Sequence, residues 1–426
     1  MTAHKNRGNS TAANWQTQVL FYLFLSMIVS LLMSRVALSV STILFVAFAV
    51  VHKKFSQQLK YFLSEPLFWM FSFLFFIPFI SGLWSTDLDK WSDVVRIKLP
   101  LLFLPLAFAG QWTFSKKQWQ TIASVFILCI AAGCVWSLAD YLQNASQINE
   151  SYQRAKTILT PLEDDHVRYS WQVGVGVILL ITLWHQTKGK SAKLALAFVV
   201  VFFIIYLHVL SARTGLLSLY IFLLVYGMSF LHQIKKKTHF FTIIACTAAL
   251  PLLAYFTLPT FKARLHYNLY DLSFVQKTQY LPGSSDGARI MSIKAGWQVL
   301  RQNPLGVGAG DIMMEADKWY ASHVPQVLST DKFYPSSEWL MYGGFAGWPG
   351  VVLFTAIMLV PFFRRPKKFQ LFWIAFHLTA ACSFAFDMGL EVQYGVLLYA
   401  LVTFWWWKWL NENEGHQRIA VPDQIN

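Results

Sequence analysis

Uncharged apolar stretches long enough to cross a bilayer alternate along this chain with short loops whose charge switches between strongly basic and acidic or neutral. A helix rises about 1.5 Å per residue, so roughly 20 apolar residues cross the hydrocarbon core. Leu194–Ala212 and Thr214–Ile234 meet that length without one formally charged side chain. With 56% hydrophobic residues and only 13% charged, a soluble fold of this length would lack the polar surface to cover itself. The fold class that follows is an all-α membrane protein.

About twelve spans are expected, centred near Phe24, Phe45, Phe73, Phe103, Phe126, Ile178, Phe202, Leu223, Ala248, Phe354, Ile374 and Val402. Lys5/Arg7, His52-Lys53-Lys54 with Lys60, Lys116-Lys117, Lys188/Lys190/Lys193, Lys235-Lys236-Lys237 and Arg364-Arg365-Pro366-Lys367-Lys368 fall on every second loop. Positive loops stay inside, which predicts that these loops and both termini are cytoplasmic. The alternate loops carry Asp87, Asp89 and Asp93, then Glu150, Glu163, Asp164 and Asp165, then Asp387 and Glu391, as the far side requires. The chain divides into spans 1–9 over residues 1–260, a large non-cytoplasmic loop over 261–338, and spans 10–12 with a cytoplasmic tail over 339–426.

The net charge of +14 is spent on loops at an anionic lipid surface, and nucleic-acid binding is rejected. Cys129, Cys134, Cys246 and Cys382 lie inside apolar runs without ligand spacing and read as buried thiols. The first apolar segment ends in Met33-Ser34-Arg35 without a small-residue cleavage site, so it reads as a retained span rather than a signal peptide.

The segment from Phe261 to Trp339 is too polar to cross the membrane, and a loop of that length is usually functional. Ile290, Ile293, Trp297 and Leu300 share one helical stripe, which suggests a helix along the membrane surface. Gly306-Val307-Gly308-Ala309-Gly310 follows Pro304 and reads as a tight turn or as a nest of backbone amides near an anion. The dense small residues of Tyr342–Gly350 suit close helix packing or a groove for a lipid tail.

Ser211-Ala212-Arg213-Thr214-Gly215-Leu216-Leu217 at the start of a span resembles the signature of the O-antigen ligase and Wzy-type polymerase superfamily. Gly287-Ala288-Arg289, the helix after it and Asn303-Pro304-Leu305-Gly306-Val307-Gly308-Ala309-Gly310-Asp311 are similar to that superfamily's order of arginine, helix and glycine turn. Ser81-Gly82-Leu83-Trp84-Ser85 before a span containing lysine and proline, Asp165-His166-Val167-Arg168-Tyr169-Ser170, and Glu391-Val392-Gln393-Tyr394-Gly395 extend the resemblance over most of the chain. It implies transfer of a glycan from polyprenyl (undecaprenyl) diphosphate to an acceptor hydroxyl such as lipid A-core, at the periplasmic face of a bacterial inner membrane. A ligase and a repeat-unit polymerase share that chemistry. A transporter and a non-catalytic scaffold are the readings of other classes. The lack of visible inverted repeats and of paired charges within spans speaks against transport.

The local chemistry fits independently. A leaving diphosphate gathers negative charge, and guanidinium groups pair bidentately with its oxygens, so Arg213 and Arg289 are the first candidates to bind it, with Arg168 behind them. An unpaired charge between two apolar runs costs about 2.5 kcal/mol or more, so Arg213 needs a partner or a task. Superfamily members carry a histidine as general base before the tenth span. Here Pro335-Ser336-Ser337-Glu338 puts Ser336 at that position, and a serine hydroxyl is too weakly basic to take a proton unaided. Glu338 is the nearest substitute base, followed by His323 and His166, the latter oriented by Asp165. Glu391 and Gln393 are suited to hold sugar hydroxyls or fix an arginine. No acidic or histidine cluster has ligand spacing, so neither a metal nor another cofactor is expected.

Overall fold

A computed structural model describes residues 3–52, 54–154, 156–161, 165–231, 237–276, 279–366 and 368–418. Lys53, Glu163, Asp164, Lys235, Lys236 and Lys367 of the expected loops lie outside the described residues. Helices dominate the described residues, and no strand occurs among them. In chain order they are α1 (Ala3–Met33), α2 (Arg35–Val50), α3 (Phe55–Ser64), α4 (Pro66–Ile80), α5 (Leu88–Phe108), α6 (Lys116–Gln143), α7 (Ala145–Ser151), α8 (His166–Gln186) and α9 (Lys190–Leu210). Then follow α10 (Arg213–Met228), α11 (Lys237–Thr257), α12 (Pro259–Gln276), α13 (Asp286–Gln302), α14 (Ile312–His323), α15 (Glu338–Phe363), α16 (Gln370–Phe386) and α17 (Gln393–Arg418).

Each of the twelve expected centres falls inside a helix. Among the described residues seven helices are long and apolar enough to span a bilayer, or eight if α2 and α3, bent by 104°, form one broken span. α10 and α16 are apolar but shorter. α5 carries Asp89, Lys90, Asp93, Arg96 and Lys98 in its first half and two prolines in its second. Local chemistry sets several boundaries. Ser115 Oγ accepts from the Gln118 N–H at 3.3 Å while Gln118 Oε1 accepts from the Ser115 N–H at 2.9 Å, a reciprocal cap that starts α6.

α17 runs through the middle of the bundle. Trp405 meets Phe24 of α1 at 6.0 Å and Phe126 of α6 at 5.6 Å between ring centroids, and Phe404 meets Phe71 of α4 at 4.8 Å. Such edge-on aromatic packing fixes helix positions where the hydrophobic effect between helices is absent.

α15 is broken at Ala346–Gly347, with Gly347 at φ +65°, a backbone region that only glycine enters without cost. The break leaves backbone groups free, and the loop takes them. Gly344 O accepts from Val307 N–H at 2.8 Å and Gly308 N–H at 3.2 Å, and Trp348 N–H donates to Pro304 O at 2.9 Å. The small residues of α15 therefore make room for protein. A side chain at Gly343 would meet Leu300, and one at Gly344 would meet Ile312.

The remaining amides of the glycine turn are also used. Gly306 N–H donates to Asn303 O at 2.9 Å, Ala309 N–H to Ser81 Oγ at 3.0 Å and Gly310 N–H to Ser85 Oγ at 3.2 Å. The turn is thus a structural clasp and leaves no amide for an anion, which decides between the two readings of Gly306, Gly308 and Gly310. Asp311 completes the clasp, accepting from Thr86 N–H and Oγ1 at 2.8 Å each and from Asp87 N–H at 3.0 Å. Asp311→Ala removes all three part-buried bonds to Thr86 and Asp87 and is expected to cost about 1–3 kcal/mol, read as a lower unfolding midpoint in detergent, with Asp311→Asn intermediate.

α13 exists as expected but is wedged inside the loop. Ala295 and Val299 pack on Ala316, Trp319 and Tyr320 of α14, and Leu300 is buried. The proposed surface stripe is therefore interrupted, and Trp297 is its one well-exposed member at 50%.

Candidate functional site

α10 and α13 bring Arg213 and Arg289 to one cavity of about 460 Å³, whose wall also includes Asp286, Asp387 and the apolar Leu216, Leu217, Ile293 and Phe386. α9 ends at Ser211 in a left-handed conformation, φ 53°, which turns the chain sharply so that α10 starts with Arg213 at the cavity rim. Arg213 forms an ion pair with Asp286 and donates to Ser285 Oγ at 2.9 Å. Arg289 Nη1 contacts Phe386 O at 3.4 Å, and among the described residues it pairs with no carboxylate.

The N-terminus of α13 that carries Asp286 and Arg289 is anchored by Asp271 of α12. Its buried carboxylate accepts from the N–H groups of Ser285 at 2.9 Å, Asp286 at 2.7 Å and Gly287 at 3.2 Å. Burial pushes the Asp271 carboxyl above its ordinary value, and those N–H donors with Arg213 and Arg264 pull it back. Arg264, which the sequence reading overlooked, is 5% exposed, and its Nε and Nη1 have no hydrogen-bond partner among the described residues. It lies within electrostatic reach of both Arg213 and Arg289. Burial lowers its pKa, yet a guanidinium stays protonated at neutral pH. Its sequence signal was an arginine in a mixed helix, which is too common to single out.

Arg168 sits at the first turn of α8, 13% exposed, between Asp387 at 3.3 Å and Asp165 at 3.5 Å, and donates to Met388 O at 3.1 Å. It lines a small recess with Thr214, Ser383 and Asp387, three residues that also line the arginine cavity. Asp165 caps α8 through the Arg168 N–H at 3.2 Å, so its carboxylate serves the helix and Arg168. His166 is half-buried at the same turn, and the neighbours that reach the recess are Val167 and Arg168. His323 lies elsewhere. It stacks on Trp319 and lines a separate cavity across α13.

The Pro335-Ser336-Ser337 motif is held by α13. Pro335 covers Gly296, while Ser336 Oγ lies 2.9 Å from Ser292 Oγ and Ser336 N–H donates to the same oxygen at 3.1 Å. Ser336 is thus buried and engaged. Ser337 is the N-cap residue of α15 and makes no side-chain cap. Glu338 follows, fully buried, with Oε1 accepting from Leu390 N–H at 2.5 Å and Oε2 without a partner among the described residues. It interacts electrostatically with Glu391, Lys98, Asp387 and Arg168, so it joins the arginine recess to a second polar layer.

That layer corrects two expectations. Glu391 pairs with Lys98 of α5 at 2.6 Å, both side chains buried, and so fixes a lysine instead of an arginine. Lys98 lies inside α5, a helix expected to span, and its partner Glu391 sits in the turn just before α17, so a charge within an expected span is paired, contrary to the expectation of no paired charges there. Gln393 donates to Ser39 Oγ of α2 at 2.6 Å and is occupied there. Lys98→Met leaves Glu391 buried without a counter-charge and is expected to destabilise by about 3–5 kcal/mol, whereas adding Glu391→Leu should recover most of the loss in thermal unfolding. The cysteines also differ from expectation. Cys134 is buried, but Cys246 is exposed and Cys382 lines the arginine cavity.

Among the described residues no group of three or more His, Cys, Asp or Glu could hold a metal ion. Residues 198–355, which include α10, α13 and the motif before α15, match the family model described as O-antigen ligase. A search of curated proteins gave no match.

Proposed function

Taking as premise that the chain carries a domain of the O-antigen ligase family, we propose that it moves a glycan from polyprenyl diphosphate to an acceptor hydroxyl. The supporting observation is the shared cavity of Arg213 and Arg289, with Arg168 at its continuation and an apolar wall suited to a prenyl chain. The acceptor oxygen attacks the anomeric carbon, the bond from that carbon to the diphosphate oxygen breaks, and the electron pair leaves with the diphosphate. Three guanidinium groups near that oxygen stabilise the charge that gathers there. Glu338, whose Oε2 has no partner among the described residues, takes the acceptor proton. In this reading the residues 261–338 and the cavity face the periplasm, the membrane is the bacterial inner membrane, both termini are cytoplasmic, and the spans number twelve.

The acceptor is lipid A-core for a ligase. A polymerase of repeat units would use another carrier-linked glycan in the same place. Purified protein in vesicles, given carrier-linked glycan and lipid A-core, is expected to yield glycan covalently attached to the core. A longer carrier-linked chain in its stead identifies the polymerase. Movement of a solute with no covalent product would replace both with a transporter, and inactivity in every assay would favour a scaffold.

A further inference from the structure

α13 separates two cavities. Asp286, Arg289 and Ile293, at i, i+3 and i+7, face the arginine side, while Gly287, Met291, Lys294 and Gln298, at i, i+4, i+7 and i+11, face a second cavity of about 380 Å³. Ile290 borders both, so the partition is one helix thick.

The second cavity combines flat apolar faces with hydrogen-bonding groups. Trp319 and His323 stack with centroids 4.8 Å apart and planes 12° from parallel. Trp297 is half exposed and stands edge-on to Trp348 at 5.9 Å. The Tyr280 hydroxyl donates to Asp331 at 2.6 Å, which holds its ring in the wall. Lys294 and Gln298 supply donors and acceptors between these rings. A prenyl tail seated here would bury Lys294 and Gln298 without partners, and a diphosphate would meet a lone cation. A saccharide has what the wall asks for: C–H faces that lie on aromatic rings and hydroxyls that amides and amines satisfy.

We infer that this cavity is a saccharide subsite, holding sugar residues beyond the one at the reaction centre while the diphosphate occupies the other side of α13. Its place in a transfer reaction rests on the function proposed above; sugar binding itself does not. The glycan comes from either the acceptor or the donor, and the two are separable.

The test uses the full-length protein with Trp297→Ala/Lys294→Ala, both side chains being exposed, and Gln298→Ala as an independent variant, all checked for unchanged thermal unfolding. In the transfer assay the KM for one glycan substrate is expected to rise about tenfold with kcat within twofold. A rise for the acceptor assigns the subsite to it. A rise for multi-sugar donors that is absent for a single-sugar donor assigns it to the donor. Saturation-transfer NMR with the deacylated acceptor oligosaccharide and with the delipidated donor glycan provides a readout that needs no turnover, and the signal from one of them should vanish in the double variant. Unchanged KM values together with unchanged NMR signals would overturn the inference and leave Trp297 as an interfacial anchor. Sugar signals lost in the variant while the wild type transfers nothing would uphold the subsite and sink the transferase reading instead.

Discussion

Replacing Arg289 by alanine is expected to lower glycan transfer about 100- to 1,000-fold, the usual effect of removing one preorganised donor from a developing anion. Arg289 bonds only to a carbonyl oxygen at 3.4 Å in the described structure, so its loss should leave the unfolding midpoint nearly unchanged. Arg213→Ala should cause a similar loss of transfer with some loss of stability, because Asp286 then stays buried without its counter-charge. Lysine at either position keeps the charge but not the two-pronged geometry and should recover part of the rate. Initial rates in vesicles check this, and full activity in both alanine variants would remove the arginines from the mechanism.

Glu338→Gln should reduce kcat by about 100-fold or more, within the span general bases contribute. Glutamine keeps the Oε1 acceptor that receives the Leu390 N–H, so a purely structural role for Glu338 predicts near-normal rates. A carboxylate base must be ionised, so the wild-type rate falls toward acid pH, and that limb should disappear from the residual activity of Glu338→Gln. Ser336→Ala, which breaks only the contact with Ser292, should change the rate by a few-fold at most. The opposite ranking would return the base role to another group.

Helix placement was legible in the sequence because lipid imposes a length and polarity rule on each segment separately, which is why Phe24, Phe126 and Phe354 all fall within helices. Arg213 and Arg289 stood out for the same local reason, as cations beside apolar runs or a loop motif. What the chain does with Lys98 and Glu391 was not legible. They are 293 residues apart, and periodicity tells which face is apolar but not which distant helix will meet it. The same holds for Asp271 beneath α13, for Arg264 near the other arginines, and for Ser81 and Ser85 receiving the glycine turn. The break in α15 hid in plain view, since glycine-rich spans pack closely far more often than they open.

The ion pair between Arg213 and Asp286 gives the arginine cavity an internal counter-ion. Arg213, Arg264 and Arg289 repel one another, and the carboxylates of Asp271 and Asp286 leave the cluster with one net positive charge. An incoming ligand must outbid an aspartate already in residence. A singly charged ester offers no more than the aspartate does, whereas a pyrophosphate bridge offers a second charge for Arg289 at once. Under the transfer function proposed above, that counter-ion would favour a doubly charged headgroup over a singly charged one.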